Sequence, residues 1–228
     1  MTAVEGWTPG ADSDALKSYR VARTTTADDL TTRIRELIMT GVLRPGQALP
    51  QPQLAAELGV SRTPLREAFQ RLAGEGLLQL DPRKGAVVAL LSREDFLELY
   101  ELRQLLEGYL IRDVAKHFSE ADFHRLWSLA EQCSDCTDDI EWVRHNRTFH
   151  TAVYQVARKS QAVEVATNLA SRADVYVRVF AGTAASRSSA DEDHFALLRA
   201  LRDGNVEAAV SHTVRHLQNT LARTLTAI

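Results

Sequence analysis

The 228-residue chain has only two cysteines, and no apolar run approaches the roughly 18 residues that a bilayer span requires. Residues 1–17 carry acidic residues and glycine without an apolar core, which argues against a secretory signal peptide. With 45% hydrophobic and 25% charged residues, the composition is that of neither a disordered nor a fibrous chain. We therefore expect a folded cytoplasmic protein with no membrane segment, long enough for one large domain or two ordinary ones.

The two cysteines, Cys133 and Cys136, form a C-x-x-C pattern in an acidic stretch. Such a pattern can be a redox pair or half of a zinc site. Here no strand precedes it and no second pair accompanies it. The pattern therefore favours two free thiols in a reducing compartment.

Charge of one sign is not in large excess, since the net charge is only −3, but the charges are unevenly distributed. Residues 20–92 carry ten Lys and Arg against seven Asp and Glu, whereas residues 93–228 carry sixteen against twenty. A basic N-terminal part is compatible with a surface that approaches phosphates. Many domains that bind no nucleic acid have a net charge of this size.

Residues 1–24 lack periodicity and are predicted to be a mobile tail. Residues 25–91 then show three helical patterns, from Asp28 to Gly41, over 51–58 and up to Ala73, followed by two strands, 78–80 and 86–90, around a tight turn. Three helices followed by a small hairpin is the element order of a winged helix-turn-helix.

The sharpest local pattern runs from Leu58 to Ala68. Gly59 permits a turn between two helices, and Ser61 is expected to cap the second one. The exposed first turns of that helix carry Arg62, Thr63 and Arg66. These are the positions that a recognition helix presents to base edges and phosphates in the major groove.

Arg83 and Lys84 follow in the predicted turn of the hairpin, where they would meet the DNA backbone or the minor groove. On an isolated helix, arginines such as Arg62 and Arg66 are usually just solvated side chains. Here the capped turn, the preceding helix and the basic hairpin occur together in order. The combination predicts DNA binding.

Beyond Ser92, a predicted N-cap, only helical patterns follow. They predict six helices, over 93–117, 120–134, 139–157, 161–181, 190–203 and 205–226. The breaks fall at 133–138, 182–189 and 203–205. Consecutive amphipathic helices with short connections predict an antiparallel all-α bundle over residues 92–228, so the fold class is mainly α.

Three histidines from three predicted helices are candidate metal ligands. His150 lies four residues after Asn146 and therefore on the same helix face. On the last helix, His216 lies about 90° and His212 about 130° from the centre of the apolar stripe, so His216 is expected to point inward and His212 to water. With His194, these side chains can form a facial set around a divalent metal. Single histidines at helix edges are more often structural.

The run from Leu30 to Val88 resembles the DNA-binding head of the GntR family. The resemblance rests on Gly41-Val42-Leu43-Arg44-Pro45-Gly46, Leu54-Ala55, Val60 to Ala68, Leu72, Glu75-Gly76-Leu77 and Gly85. It implies DNA contacts from Arg62, Thr63, Arg66, Lys84 and Arg44. The family often has a polar or basic residue that touches DNA early in the second helix. Here Pro52 stands between two glutamines, and a proline cannot make that contact.

The helical half resembles the FCD class of effector domain, through Leu102-Arg103, Leu106-Glu107, Phe149-His150, His194 and His216-Leu217. Many members of that class hold a metal with one aspartate and three histidines. The resemblance implies a metal bound by His150, His194 and His216, with Asn146 at the aspartate position. Zinc is the expected ion, with nickel or manganese as alternatives.

The same resemblance implies a sensor of small organic acids, because an anion can fill open metal positions and pair with an arginine. Arg103 is the first candidate for that pairing and Arg178 the second. Arg103 can instead pair with Glu107, four residues further along its own helix.

The predicted function is a ligand-responsive DNA-binding regulator, a repressor, whose homodimer reads palindromic double-stranded DNA. One alternative is a constitutive DNA-binding protein with an inert helical body. Another is a His-ligated metalloenzyme. The enzyme is disfavoured because the chain has no nucleophile motif, and only the Asp191–Asp193 run offers a base.

Overall fold

The computed structural model describes residues 26–81, 85–181 and 184–225, without the side chains of residues 177–186. The chain divides between Leu91 and Ser92 into two compact units, here called the head and the body. The predicted tail over residues 1–24 and the wing residues Arg83 and Lys84 lie outside the described residues. No described helix has the length and hydropathy of a membrane-spanning segment.

The head begins with the three predicted helices. They are α1 (Ala27–Met39), α2 (Gln51–Leu58) and α3 (Arg62–Gly74). A capping box starts α1, because the Thr26 hydroxyl accepts from the Asp29 amide while the Asp29 carboxylate accepts from the Thr26 amide. The apolar faces of α1 and α3 pack on each other. That packing fully buries Leu30, Ile34, Leu65 and Phe69.

A three-residue turn joins α2 to α3. Gly59 ends α2 with φ 73°, a left-handed conformation that suits glycine. Ser61 occupies the N-cap position of α3, as predicted, but the predicted capping bond is wrong, since its side chain makes no such hydrogen bond. The first-turn amides of α3 are therefore open to another acceptor.

The head also contains a three-stranded antiparallel sheet. Its strands are β1 (Ala48–Leu49), β2 (Leu78–Asp81) and β3 (Gly85–Val88), in the order β1-β3-β2. Strands β2 and β3 form the predicted hairpin, and their register pairs Leu78 with Val88. The sequence did not predict β1, because two residues are too few to show a period.

Gly85→Ala is expected to destabilise the head by about 1–3 kcal/mol. Gly85 has φ 86°, and an added Cβ would lie 2.8 Å from the Leu49 carbonyl oxygen and 3.1 Å from the Gln51 nitrogen, both backbone atoms. Denaturant unfolding followed by circular dichroism measures the change.

Gly74→Ala is the matched control. Gly74 is helical, and an added Cβ would meet nothing within 4 Å. This change is expected to leave stability unchanged or to raise it by about 0.4–1 kcal/mol. Equal unfolding midpoints for Gly85→Ala and the wild type would contradict the close approach at Gly85.

Six helices form the part of the body that the structure describes. They are α4 (Arg93–His117), α5 (Glu120–Ser134), α6 (Asp139–Tyr154), α7 (Ser160–Ala181), α8 (Ala184–Arg202) and α9 (Val206–Leu225). Ser92 and Ser119 start α4 and α5 with capping boxes. Helix α4 packs on α7 and α9, and α5 packs on α6 and α8. Their shared core includes Leu110, Ile111, Val114, Leu126, Phe149, Val153 and Leu198.

Two body helices differ from their predicted bounds by more than one residue. The predicted loop over 182–189 is wrong in most of its length, because α8 begins at Ala184. Alanine is the best helix former and serine costs little, so a run of small residues does not by itself end a helix. Helix α6 ends at Tyr154 rather than 157, where tighter hydrogen bonds such as Ala157 N–H to the Tyr154 carbonyl replace the α pattern.

Candidate functional site

The first turns of α3 form an exposed polar surface of the head. Arg62, Thr63 and Arg66 are all exposed. Within the described ranges, neither arginine has a hydrogen bond or an ion pair. The opposite face of α3 buries Leu65, Ala68, Phe69 and Leu72 against the head core. Because that face anchors the helix, both guanidinium groups are left in solvent, where a nucleic acid can reach them.

Two other residues that are predicted to contact DNA, Arg44 and Lys84, lie before and after α3 in the sequence. Arg44 is exposed in the turn before β1, and its amide donates to Gln47 Oε1 at 2.8 Å. Lys84 lies outside the described residues. Arg71, further along α3, is occupied by an ion pair with Asp28 of α1. Among the described arginines of the head, those whose side chains have no partner are therefore Arg44 and, at the N-terminal end of α3, Arg62 and Arg66.

In the body, three histidines meet from three helices. One ring nitrogen each of His150 (α6), His194 (α8) and His216 (α9) lies within 4.8 Å of the others. The Nε2 atoms of His150 and His194 are 3.2 Å apart. Ligand atoms around tetrahedral zinc stand about 3.3–3.8 Å apart, as its bond lengths require. The cluster therefore has nearly the spacing of a metal site.

Asn146 is the fourth predicted ligand of this site. It lines the same cavity as His150 and His216. Its Oδ1 atom is buried and has no hydrogen-bond partner among the residues with described side chains. A buried carbonyl oxygen without a partner costs about 1–3 kcal/mol, so its position is best explained by a bound cation or donor. Three imidazoles and one amide oxygen fit a divalent metal of borderline softness.

The protonation state of the cluster suits metal binding. Burial lowers the pKa of His150 and of His194 well below the ordinary histidine value, and neighbouring imidazoles lower both further. The His150 and His194 rings are therefore neutral near pH 7 and offer lone pairs. Behind the rings, Asp193 Oδ2 lies 3.6 Å from His216 Nδ1, and Asp191 Oδ1 lies 3.8 Å from His194 Nδ1. Carboxylates in such places orient metal-binding imidazoles.

The cavity beside the cluster is rich in charged groups. Four arginines and two aspartates line it: Arg103, Arg147, Arg187, Arg223, Asp139 and Asp174. Arg187 forms an ion pair with Asp139, and Arg147 donates to Ser171 Oγ at 2.5 Å. Burial raises the pKa of Asp174. The excess of guanidinium groups favours an anionic ligand.

Arg103 is held in the cavity wall by its own helix. Its Nε donates to Glu107 Oε1 at 2.7 Å. Arg103 is 6% exposed and Glu107 is fully buried. The other Glu107 oxygen accepts from the Tyr154 hydroxyl. Arg103 therefore makes the pairing with Glu107 that the sequence offered as one alternative, and it also lines the cavity.

Two family models match the chain. The model of bacterial regulatory proteins of the gntR family matches residues 26–88, and the FCD domain model matches residues 98–219, more than half of the chain. The chain belongs to the GntR family. It is a DNA-binding transcriptional regulator with a winged helix-turn-helix head and an FCD body, as the resemblance in its sequence predicted.

Similar proteins to this GntR regulator are themselves regulators, not enzymes. It is 27% identical over 195 residues to the uncharacterized HTH-type transcriptional regulator YdhC of Bacillus subtilis (strain 168), covering 82% of this chain and 85% of YdhC. It is 28% identical over 201 residues to the probable D-xylose utilization operon transcriptional repressor of Paenarthrobacter nicotinovorans, covering 87% and 88%. Among solved structures, E. coli McbR/YncC shares the fold with a TM-score of 0.79 at 23% identity, covering 89% of this chain and 98% of McbR/YncC.

Sequence reasoning missed several residues of this GntR regulator's cavity. Arg147 was missed although it shares a face of α6 with Thr151 and Tyr154, which also line the cavity. Arg187 was missed because its segment was predicted to be a loop. His212, predicted to face water, is half-buried, with Nδ1 2.7 Å from an Arg215 nitrogen. The side chain of Arg178 lies outside the described residues.

Proposed function

We propose that this GntR-family regulator is a repressor that responds to a small carboxylate held beside a divalent metal. The head, residues 25–91, reads the operator. The body, residues 92–228, binds the metal, the effector and a second copy of the chain. One observation carries the proposal: three imidazoles meet at the wall of a cavity that is rich in arginine and that the unpartnered Asn146 oxygen also lines.

For operator binding we assign Arg62, Thr63 and Arg66 of α3, together with Arg44 and Lys84. The exposure of the α3 residues supports this assignment. An arginine can bind guanine O6 and N7 or a phosphate. The first-turn amides of α3, which the Ser61 side chain does not cap, can donate to a phosphate oxygen as well.

For the metal we assign Asn146, His150, His194 and His216. Zinc suits this set, and nickel and manganese accept similar donors. Once bound, the ion supplies a Lewis-acidic centre with open positions for an oxygen of the effector. Because a neutral amide oxygen is a weaker ligand than the carboxylate common in this class, we expect weaker metal affinity than an aspartate would give.

For the effector we assign Arg103, with Arg178 as the second candidate. Glu107 and Tyr154 fix Arg103 in the cavity wall. A guanidinium held in this way loses little side-chain entropy when it pairs with a carboxylate. The wall also contains Trp142, Val143 and Leu217, which limit the space for water around the anion.

A homodimer connects the two functions. Two symmetric heads match the two halves of a palindrome. Helix α4 leaves Leu102, Leu105 and Tyr109 exposed at spacings of three and four, an apolar stripe that we assign to the second copy. The effector shifts the dimer between states of different DNA affinity by as much as it binds one state more tightly than the other. The probable repressor of Paenarthrobacter nicotinovorans supports repression rather than activation. Because the operator DNA lies in the cytoplasm, we expect the protein to act there.

A gel-shift titration tests the proposal. The full-length, zinc-loaded protein is expected to retard its own upstream DNA, and at least one of a panel of small carboxylates is expected to release it. The same acid should raise the melting temperature, by the equivalent of about 2.7 kcal/mol at one hundred times its dissociation constant. Both effects should disappear with a chelator.

The neutral amides of the same acids are the matched control, since they lack the charge that pairs with an arginine. They are expected to leave the DNA complex unchanged. If no acid affects either the complex or the melting temperature of folded, zinc-loaded protein, the function is constitutive DNA binding with an inert body.

A further inference from the structure

The far side of the His194 ring faces a second group of metal-ligating atoms. Cys133, near the end of α5, and Asp191 of α8 each offer a ligand atom within 4.8 Å of the other and of His194. All three residues are buried. This group contains a thiol and a carboxylate, whereas the group of His150, His194 and His216 contains imidazoles only.

The two ring nitrogens of His194 have different neighbours. Nε2 lies 3.2 Å from His150 Nε2. Nδ1 lies 3.8 Å from Asp191 Oδ1, which is too far for a hydrogen bond. His194 is only 1% exposed, and its Nδ1 has no hydrogen-bond partner in the described chain. A buried nitrogen without a hydrogen-bond partner is unfavourable, and a cation bound to it would remove that cost.

Cys133 lacks the properties of a redox-active cysteine. Its Sγ is buried, 3.9 Å from the Trp142 carbonyl oxygen. Burial, together with nearby Asp191, raises the pKa of the thiol well above its ordinary value. A buried neutral thiol is inert towards oxidants, but a cation can still displace its proton. Cys136 is only half-buried, with Sγ 3.4 Å from the Asp138 carbonyl oxygen, and lies outside the group.

The Asp191 side chain is held in position by a hydrogen bond and lines a cavity that is open to solvent. The Trp142 indole Nε1 donates to its Oδ1 at 3.2 Å. Asp191 also lines a second cavity, with Cys136, Arg187 and Glu192. This cavity is open to solvent, so a cation can approach Asp191 without crossing the cavity that we assign to the effector.

We propose that Cys133, Asp191 and the Nδ1 atom of His194 form a second site, for a thiophilic divalent cation such as Zn²⁺. Tetrahedral zinc ligands stand about 3.3–3.8 Å apart, so side-chain movements of about 1 Å bring the donors together. A solvent molecule from the second cavity completes the four-coordinate set.

The charges and protons of this site balance. The Cys133 thiol releases its proton to solvent and its sulfur binds as a thiolate, while Nδ1 of His194 binds through its lone pair. One thiolate and one carboxylate neutralise a divalent cation, which a buried position requires. A neutral His194 ring has one lone pair, so with the first site empty its proton is on Nε2 and Nδ1 binds the cation. When both sites are filled, the ring releases that proton to solvent and bridges the two cations as an imidazolate. The second site shares His194 with the first but does not depend on effector or DNA binding.

Cobalt is the probe, because a thiolate bound to Co²⁺ gives a charge-transfer band in the near ultraviolet that imidazoles and carboxylates do not give. Chelator-treated, reduced full-length protein is titrated with Co²⁺. We expect the band to grow to one equivalent in the wild type and to remain in His150→Ala. It should be lost in Cys133→Ser and kept in the matched control Cys136→Ser. Added Zn²⁺ should abolish it.

Asp191→Asn keeps an oxygen for the Trp142 hydrogen bond and removes the charge. It is expected to weaken the cobalt titration at least about tenfold, because an amide oxygen is the poorer ligand. Circular dichroism checks that each variant is folded. Absence of the band in folded wild type, or its loss in Cys136→Ser but not in Cys133→Ser, overturns the proposal. If instead the first metal site, which belongs to the proposed function, does not exist, His150→Ala is expected to bind as much cobalt as the wild type, and the thiolate band persists.

Discussion

Replacing Arg62 and Arg66 together by alanine is expected to weaken operator binding at least about thirtyfold, since each contact to a base is worth about 1–3 kcal/mol. Both side chains are exposed on the first turns of α3, and its apolar face is buried separately, so the fold should be unaffected. A gel-shift or anisotropy titration at fixed salt measures the affinity. The dependence of affinity on salt should also become shallower if either arginine binds a phosphate.

Arg71→Ala is the matched control on the same helix. Arg71 is exposed but pairs with Asp28, and it lies more than a turn beyond Arg66. It is expected to change operator affinity little, and stability by no more than about 1 kcal/mol, as is usual for a surface ion pair. An Arg62→Ala, Arg66→Ala protein that binds the operator as tightly as the wild type would show that another surface reads the DNA.

His150→Ala is expected to abolish stoichiometric metal binding at the first position. The change removes one of only three imidazoles, and its ring nitrogen lies 3.2 Å from that of His194. Elemental analysis after dialysis against trace zinc measures the result. The measurement is made in Cys133→Ser protein, which lacks the thiol of the second site, so that the zinc counted is bound at the first site. We expect one zinc per chain in that background, and none after His150→Ala is added.

Two further variants sharpen the test. Asn146→Asp places a carboxylate at the unpartnered oxygen and is expected to tighten zinc binding at least about tenfold. His212→Ala, one turn before His216 on α9 and outside the cluster, is expected to leave the zinc count unchanged. If the Cys133→Ser, His150→Ala protein still binds one zinc per chain, the assigned ligand set is wrong.

Local sequence patterns predicted most of the structure of the head. The apolar spacing of α1 and α3, the glycine turn at Gly59 and the period-two hairpin are determined within a few residues, so the sequence predicts them well. Its failures there were equally local. Strand β1 is too short to have a pattern, and whether the Ser61 hydroxyl caps α3 depends on a side-chain rotamer that composition does not fix.

The body shows a different division. Helical periodicity predicted that His216 rather than His212 points inward, and His216 is the one of the two that lies near His150 and His194. Arg187 was missed because helix propensity alone does not reveal that residues 184–189 continue α8. Cys133 lies close to Asp191 in the structure, and the C-x-x-C pattern did not predict this contact.

The sequence by itself determined the family, the order of the helices and the hairpin, and the main apolar faces, because these follow from short-range periodicity and from motifs within one element. Only the tertiary structure decided which side chains meet. His150 and His194 are 44 positions apart, and their 3.2 Å approach depends on how α6 and α8 pack. Packing also decided that the Asn146 oxygen and His194 Nδ1 are buried without partners among the described side chains, since burial is a property of the whole bundle rather than of any one helix.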